Sequence, residues 1–283
     1  MSAVVKTLPI PVEGRRGIVL RTRGETHGPI NRLINATDVG RLTKPFVFLD
    51  LVESEDPFGK AGTGWHPHSG IATLTLVMAG RGRFFESTGN EGAMKAGDIE
   101  WMSAGSGVWH SGYALPPVKA FQLWVALPTE RELTPAFSQH LSVDDIPTDG
   151  PARVLLGRSG GAVSPIDAPA GINYFVVQLK AGQRWTYQPP PGHLVGWIAV
   201  MDGAVRTPEP VGKGELAVFE HSDAALEFEA VGNARFVLGT AIPHPHELHL
   251  GYYSVHTSRS ALIEGEGEIA RIGRELRAKG VLG

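Results

Sequence analysis

Short apolar runs, separated by frequent glycines and prolines, dominate the hydrophobic pattern of this chain. The runs are rich in β-branched and aromatic residues, and they fall at Phe46–Leu51, Ile71–Met78, Phe121–Leu127, Tyr174–Leu179, Trp197–Met201 and Arg235–Leu238. Short strands with a turn signal after each of them are typical of β-sandwiches and β-barrels. The pattern therefore predicts an all-β protein.

Helical periodicity is clearest near the C-terminus. The apolar positions that would share one helix face there are Ile263, Ile269, Ile272 and Leu276. Gly280 follows them as a stop signal, so we expect one short terminal helix. A second, shorter helix is expected over Thr134–Leu141.

The two halves of the chain share a weak repeat. Each half has a glycine followed by an acidic residue after a pair of predicted strands, at Gly97–Asp98 and at Gly214–Glu215. Between the halves, the polar segment Asp144–Pro151 carries two prolines and a glycine, which is typical of a linker. We expect an N-terminal domain over residues 1–145 and a C-terminal domain over residues 151–283.

Composition and charge exclude several classes of protein. Hydrophobic residues make up 42% and charged residues 19% of the 283 residues, so the chain is expected to fold. The net charge of −3 argues against direct nucleic-acid binding, and no apolar stretch reaches the ~18 residues that span a membrane. The first residues do not resemble a signal peptide, so we expect a cytoplasmic protein. There is no cysteine, so any metal must be held by nitrogen and oxygen atoms.

Three histidines are the strongest candidates for such a site. His66 and His68 lie two residues apart, and in an extended chain they point to the same side. Pro67 between them has no N–H group, which predicts the start or edge of a strand. His110 follows two glycines, at positions 105 and 107, that are interpreted as a hairpin turn. If two antiparallel segments bring His110 beside the pair, three imidazoles converge on one point.

A His-x-His pair alone is more often an ordinary surface or core feature than a metal site, and imidazole suits Fe, Zn, Cu and Ni alike. The surrounding sequence adds the decisive information. Residues 66–80 read HPHSGIATLTLVMAG, and residues 87–111 read STGNEGAMKAGDIEWMSAGSGVWHS. Together with FQLWVALP at 121–128, they resemble the N-terminal cupin domain of the pirin family. Residues 236–240 and 251–257, with the terminal helix, resemble a pirin C-terminal domain.

This resemblance implies a bicupin fold, which consists of two cupin-type double-stranded β-barrels with a short C-terminal helix. It also implies one mononuclear metal in the N-terminal barrel, usually iron, with His66, His68 and His110 as ligands. Zn, Ni, Cu and Mn remain alternatives. Some pirin-like proteins oxidise flavonols such as quercetin with dioxygen, and others regulate partner proteins through direct contacts. Both functions stay open here: a metal-dependent dioxygenase of a small aromatic or enolic substrate, or a non-enzymatic regulator. Neither implies binding to nucleic acid or to a membrane.

The sequence departs from the family at both expected carboxylates. The glutamate two residues after the third histidine is replaced by Gly112, and the one four residues after the second histidine is replaced by Ala72. The metal would then have three neutral ligands, and no residue is predicted as the catalytic base. Glu100 and Gln122 are substitutes in principle, but we expect them to face solvent or the barrel wall.

Two further histidine segments are expected to be structural. The counterpart of the HPH segment in the second half is Gln188–His193, which contains a single histidine, so the second barrel is predicted to be metal-free. The run Pro243–His249 contains three histidines and a glutamate. It falls in a connection, where mobile polar residues are common, and we do not expect a functional site there.

Overall fold

The computed structural model of the protein describes residues 16–55 and 63–282. These residues form two compact units. We call the first unit the part made of residues 26–40, 45–145 and 244–282, and the second unit the part made of residues 16–25, 41–44 and 146–243. The chain passes from the first unit to the second at residues 145–146 and returns to the first at residues 243–244.

The described chain is mostly β-structure. In chain order the elements are β1 (Ile18–Thr22), β2 (Glu25–His27), β3 (Ile30–Ile34), α1 (Val39–Thr43), β4 (Phe46–Ser54), β5 (Thr63–His68), β6 (Ile71–Glu86), β7 (Glu91–Lys95), β8 (Ile99–Ser103), β9 (Val108–Ala126), β10 (Phe137–Leu141), a 3₁₀ turn (Val143–Asp145), β11 (Thr148–Asp149), β12 (Ala152–Leu156), β13 (Arg158–Ser159), β14 (Ala162–Val163), β15 (Ile172–Leu179), β16 (Arg184–Tyr187), β17 (Val195–Asp202), β18 (Ala204–Thr207), β19 (Glu209–Gly212), β20 (Leu216–Phe219), β21 (Leu226–Ala230), β22 (Ala234–Ala241), β23 (His249–Leu250), β24 (Val255–His256) and α2 (Arg259–Ala278). Within residues 16–55 and 63–282, neither helix has the length and apolar character needed to cross a membrane.

A nine-stranded sheet forms the first unit. Its order is β10-β8-β6-β9-β4-β3-β2, with β5 added to β9 and β7 added to β6. The central strand β6 pairs antiparallel with both β8 and β9. The hairpin predicted at glycines 105 and 107 is therefore wrong, because β8 and β9 lie on opposite sides of β6. Gly105 has a φ of +52°, and a Cβ there would lie 2.0 Å from the Thr134 carbonyl, so the tight turn itself requires glycine.

Alternating side chains give this sheet an apolar face and a more polar one. The apolar row contains Leu49, Leu123, Leu74 and Trp101, which are opposite one another in the register and fully buried. The residue that follows each of these four in its strand points to the opposite face of the sheet. One face therefore packs against the core, and the other face is free to carry polar side chains.

The second unit has a seven-stranded sheet in the order β1-β20-β17-β22-β15-β12-β11 and a four-stranded sheet in the order β16-β21-β18-β19. Strand β1 is distant in sequence but pairs antiparallel with β20. One cluster of buried apolar residues, which includes Phe175, Phe219, Phe228 and Phe236, fills this unit. The prediction of a predominantly β fold is confirmed in both units.

The terminal helix α2 is present and, at 20 residues, longer than predicted. Ser258 caps its first turn by accepting a hydrogen bond from the Ala261 N–H at 3.1 Å. Its buried positions are Ala261, Gly265, Ile269, Gly273 and Leu276. The predicted face is wrong at Ile263, which is 63% exposed. Small residues form much of the packed face because neighbouring groups approach the backbone closely, and a Cβ on Gly265 would lie 2.1 Å from Ser69 Oγ.

The short helix predicted over Thr134–Leu141 is also wrong. Phe137–Leu141 forms β10, an edge strand that pairs with β8 from Phe137 opposite Ser103 to Leu141 opposite Ile99. Strand pairing with a distant segment decides the structure of this short segment, whose local helical preference is weak.

Candidate metal site

The fold brings the three predicted histidines together in the first unit. Strand β5 pairs antiparallel with β9 and sets His66 directly opposite His110. The Nε2 atom of His110 lies 2.8 Å from Nε2 of His66 and 3.1 Å from Nε2 of His68. The two-residue spacing in a strand and the antiparallel pairing together account for this convergence.

Backbone carbonyl groups form hydrogen bonds with the Nδ1 atoms of two of the three imidazole rings. His66 Nδ1 lies 2.8 Å from the Gly64 carbonyl, and His68 Nδ1 lies 3.3 Å from the Tyr253 carbonyl. A ring that donates its Nδ1–H to a carbonyl keeps the lone pair of its Nε2 available for a metal. Tyr253 has a φ of +54°. Among the described residues other than glycine, it is the one with a positive φ. Its unusual backbone conformation is part of what aims its carbonyl at His68.

Burial favours the neutral form of these imidazoles. It lowers the pKa of His68 to about 3, with a smaller contribution from the neighbouring His66. Burial also lowers the pKa of His66, and it lowers the pKa of His110 well below its usual range, again with help from the other two rings. Neutral imidazole is the form that binds a metal, so the group needs little deprotonation before binding.

The arrangement fits one metal ion. Around an ion with metal–nitrogen bonds of about 2.1 Å, two nitrogens at right angles lie roughly 3 Å apart. The two Nε2 separations of 2.8 Å and 3.1 Å match this spacing. Within residues 16–55 and 63–282, one group of at least three side chains has its ligand atoms close enough together to hold a metal ion. Its members are His66, His68 and His110.

Neither missing carboxylate is replaced at its own position. Gly112 lies in β9 opposite Phe84, two residues beyond His110, and contributes backbone to the wall of a cavity. Gly112 lies in a β-strand, whose backbone dihedral angles do not require glycine. Ala72 is fully buried opposite Ser103 and is not part of that wall. The candidate site therefore consists of three neutral nitrogen ligands.

The three histidines line a cavity of about 600 Å³ in the first unit, a volume typical of small-molecule sites. Its walls are strongly aromatic. Phe48 stacks on Trp124 with ring centroids 4.1 Å apart and planes 15° apart. Trp124 in turn meets His68 edge-on at 4.8 Å, and Tyr253 lies 5.6 Å from His66. Flat aromatic ligands suit such walls.

A row of polar residues crosses the same cavity. The register sets its members opposite one another from strand to strand: Arg32, Asp50, Gln122, Thr75 and Glu100. All of them line the cavity. The expectation that Glu100 and Gln122 face solvent or the wall is therefore wrong. They face inwards because β6 pairs on both sides at Thr75, and cross-strand neighbours share one face of the sheet.

The other candidate histidines are arranged differently. In the second unit, His193 is buried and its Nδ1 lies 3.2 Å from Thr240 Oγ1. Thr240 Oγ1 also lies 3.2 Å from the Tyr187 hydroxyl, so His193 is a member of a hydrogen-bonded core network. In the run Pro243–His249, His244 is buried and His249 is exposed. Within the described residues, this run supplies no group of three converging ligands.

Sequence reasoning missed a buried network beside the site. Ser69 Oγ lies 2.9 Å from His256 Nε2, and His256 Nδ1 lies 3.1 Å from Glu132 Oε2. The order resembles a hydrolytic triad, but Ser69 is wholly buried and its hydroxyl lies 2.8 Å from the Ser106 carbonyl. These hydrogen bonds connect the residue next to His68 to Ser106 and His256. The three residues are far apart in sequence, and no local pattern connects them.

The mostly β fold and the three-histidine cavity fit a protein of the cupin-like class with a candidate metal site. The family model described as Pirin matches residues 29–125. A Pseudomonas aeruginosa protein provisionally named quercetin 2,3-dioxygenase is 30% identical over 272 residues, which cover 88% of this chain and 93% of that protein. The chain belongs to the pirin family.

Solved structures share the fold. The crystal structure of quercetin 2,3-dioxygenase from Acinetobacter baumannii matches with a TM-score of 0.80 and 24% identity, covering 91% of this chain and 97% of that chain. The bacterial pirin YhhW from Escherichia coli in complex with nickel(II) matches with a TM-score of 0.59 and 20% identity, covering 77% and 94%. At these identities the matches establish a common fold.

Proposed function

We propose that this protein binds one transition-metal ion, most suitably iron, through His66, His68 and His110, and that it oxidises a small planar aromatic or enolic compound with dioxygen. The observation that carries the proposal is the convergence of three Nε2 atoms on the wall of a 600 Å³ aromatic cavity. The proposal includes a fold of two cupin barrels, with the metal in the first and a structural, metal-free second barrel. The name of the Pseudomonas relative supports a quercetin-like substrate.

The metal and the protein have separate tasks in this proposal. A bound iron ion supplies Lewis acidity and redox chemistry, which zinc, having no accessible redox states, does not. Trp124 and Tyr253 supply aromatic wall for a flat substrate, with Phe48 stacked behind Trp124, and the largely apolar wall excludes bulk water. Gly112 offers no carboxylate to take a proton from a substrate hydroxyl beside the histidines. A phenol or enol therefore has to enter already ionised or transfer its proton elsewhere.

The test is metal analysis followed by a dioxygen-uptake assay. Protein purified without air should bind about one iron ion per chain, and the double variant His66→Ala/His68→Ala should bind none. His193→Ala is the matched control, because it removes a buried histidine of the second unit and should leave the metal content unchanged.

Dioxygen consumption with quercetin and with simpler enols then tests the reaction. Uptake that depends on both iron and His66/His68 supports the oxygenase. A double variant that retains its metal contradicts the site assignment. A protein that binds iron but consumes no dioxygen with any member of the panel contradicts the enzymatic function and favours the regulator that acts through protein contacts.

A further inference from the structure

Two buried polar atoms without a partner belong to residues that line the cavity of the first unit. Glu100 Oε1 and Gln122 Nε2 have no hydrogen-bond partner, although Glu100 is only 4% exposed. Both residues line the cavity that also contains the three histidines. Buried polar groups in native proteins are almost always hydrogen-bonded, and each unsatisfied one costs about 1–3 kcal/mol. We call Glu100 and Gln122 the polar pair.

One hydroxyl links the two members of the pair. Thr75 Oγ1 lies 3.3 Å from Glu100 Oε2 and 2.9 Å from Gln122 Oε1. A threonine hydroxyl has a single hydrogen and cannot donate to both. The shorter contact identifies Gln122 Oε1 as the acceptor. A protonated Glu100 then donates from Oε2 to Thr75 Oγ1, which completes a chain of hydrogen bonds in one direction.

The surroundings of Glu100 favour that protonated state. Burial, and secondarily the charge of Glu86, raise the pKa of Glu100 to about 8. The carboxylate of Glu86 is itself bonded to Thr88 and Asn90. Farther along the row, Arg32 and Asp50 form a two-pronged ion pair at 3.0 Å and 3.1 Å, so Arg32 is already engaged.

The hydrogen-bond chain determines what remains for a ligand. With Oε2 and the Gln122 oxygen both used by Thr75, two groups remain for a ligand: the carbonyl-type Oε1 of Glu100, which accepts, and the Nε2 amide of Gln122, which donates. A hydroxyl can donate to such an acceptor and accept from such a donor. An aromatic cavity with such a pair is suited to an aromatic hydroxyl.

We propose that the polar pair binds a neutral phenolic hydroxyl of the substrate, distinct from the substrate atoms presented to the histidines, and so selects phenols over unhydroxylated aromatic compounds. The inference rests on the proposed function in that it assigns the same cavity to the substrate. Glu100 and Gln122 act as specificity-determining residues here, and neither is a metal ligand.

Binding to metal-free protein tests this separately from catalysis. The probes are flavone, which has no hydroxyl, and its 4′-hydroxy and 7-hydroxy derivatives, followed by quenching of tryptophan fluorescence. At least one hydroxyflavone should bind wild-type protein about tenfold or more tightly than flavone does, because it satisfies both atoms of the pair. Equal affinity for all three compounds would mean that water satisfies the pair, and it would overturn the inference.

Variants localise the preference. Glu100→Leu and Gln122→Leu should each reduce it to less than threefold, whereas Glu100→Gln should keep most of it. A glutamine at this position can donate its amide N–H to Thr75 and present its oxygen to the cavity, as the acid does. Glu130→Leu, which replaces an exposed carboxylate of the same unit, is the control and should keep the full preference. If Glu100→Leu does not fold, Thr75→Val, which removes the linking hydroxyl, should also weaken the preference, and an unchanged preference in that variant contradicts the proposal.

Metal content separates this inference from the proposed function. Each folded variant should still bind one nickel or iron ion, and loss of the metal from Glu100→Leu would overturn the assignment of Glu100 as a non-ligand. Wild-type protein that prefers hydroxyflavones but binds no metal would defeat the proposed function and leave the phenol site standing. Wild-type protein that binds metal but shows no preference for hydroxyflavones over flavone would defeat the phenol site and leave the proposed metal site standing.

Discussion

The two units treat their corresponding histidine segments in opposite ways. In the first unit, His66 and His68 aim their Nε2 atoms at His110 and at open space. In the second unit, His193 contacts Thr240, in a network that continues through Tyr187 to Asn173. Both segments belong to β-rich units. The first unit leaves imidazole nitrogens available for a ligand, whereas the second unit uses the His193 nitrogen in an internal hydrogen bond. A site requires unsatisfied polar atoms beside a cavity, and the fold alone does not supply them.

The polar row sharpens the same contrast within the first unit. Arg32 and Asp50 satisfy each other, while Glu100 and Gln122, farther along the row, retain one unused atom each. Internal pairing therefore accounts for Arg32 and Asp50, whereas the unpaired atoms of Glu100 and Gln122 are the ones that we propose to bind a ligand.

The largest expected effect is on the response to metal. Nickel in large excess over its dissociation constant should raise the melting temperature of wild-type protein by several degrees, because it binds the folded state only. His66→Ala/His68→Ala should show no such rise, and His193→Ala should show the wild-type rise from a lower starting temperature. Differential scanning calorimetry with and without nickel measures this. A metal-dependent rise that His193→Ala abolishes would reverse the contrast between the units.

Breaking the network of the second unit should cost stability alone. Thr240→Val leaves His193 Nδ1 and the Tyr187 hydroxyl without their shared partner, so we expect a loss of about 1–3 kcal/mol in the free energy of unfolding. Thr240→Ser keeps the hydroxyl and serves as the matched control. Urea unfolding compares the two variants, and an equal loss in both would assign the cost to packing instead of hydrogen bonding.

The pKa of Glu100, raised to about 8 from an ordinary 4.5, predicts a pH dependence of stability. Between these values the folded protein keeps a proton that the unfolded chain has lost, so this group's contribution to stability falls as the pH rises. Glu100→Gln has no such proton. The melting temperature of wild-type protein, relative to that of Glu100→Gln, should therefore decline by a few degrees from pH 5 to pH 8. Parallel curves for the two proteins would contradict a protonated Glu100.

The smallest effect should come from restoring the missing carboxylate. Gly112→Glu adds a ligand of suitable length two residues beyond His110, in a β-strand. We expect about tenfold tighter metal binding, which corresponds to about 1.4 kcal/mol. It should also increase quercetin-dependent dioxygen uptake at equal iron loading. Titration with nickel and an oxygen electrode give the two readouts, and Gly112→Gln, which lacks the charge, is the matched control.

The local sequence pattern was enough to predict the six apolar runs that lie in β4, β6, β9, β15, β17 and β22. It also predicted the shared direction of His66 and His68, which depends on the two-residue repeat of a strand. Features that depend on distant pairing were not accessible in this way. The turn at Gly105 joins two strands separated by β6, and Phe137–Leu141 is a strand because β8 provides an edge. The inward direction of Glu100 likewise follows from the position of β6 between β8 and β9.

The helix face was predicted incorrectly for a different reason. Its packing surface is built partly from Gly265 and Gly273, which carry no apolar side chain and so leave no trace in a hydrophobicity pattern. The contact of the Tyr253 carbonyl with His68 has no sequence signal either, since it depends on a backbone conformation.

That carbonyl also sets an order of events during synthesis. His68 is translated 185 residues before Tyr253, so a nascent chain presents all three histidines long before the group that holds the His68 ring exists. The last component of the site therefore becomes available only after Tyr253 has been synthesised. An ion bound before that point would meet a less oriented His68, so any selection among metals that depends on the orientation of this ring would begin only after Tyr253 is in place.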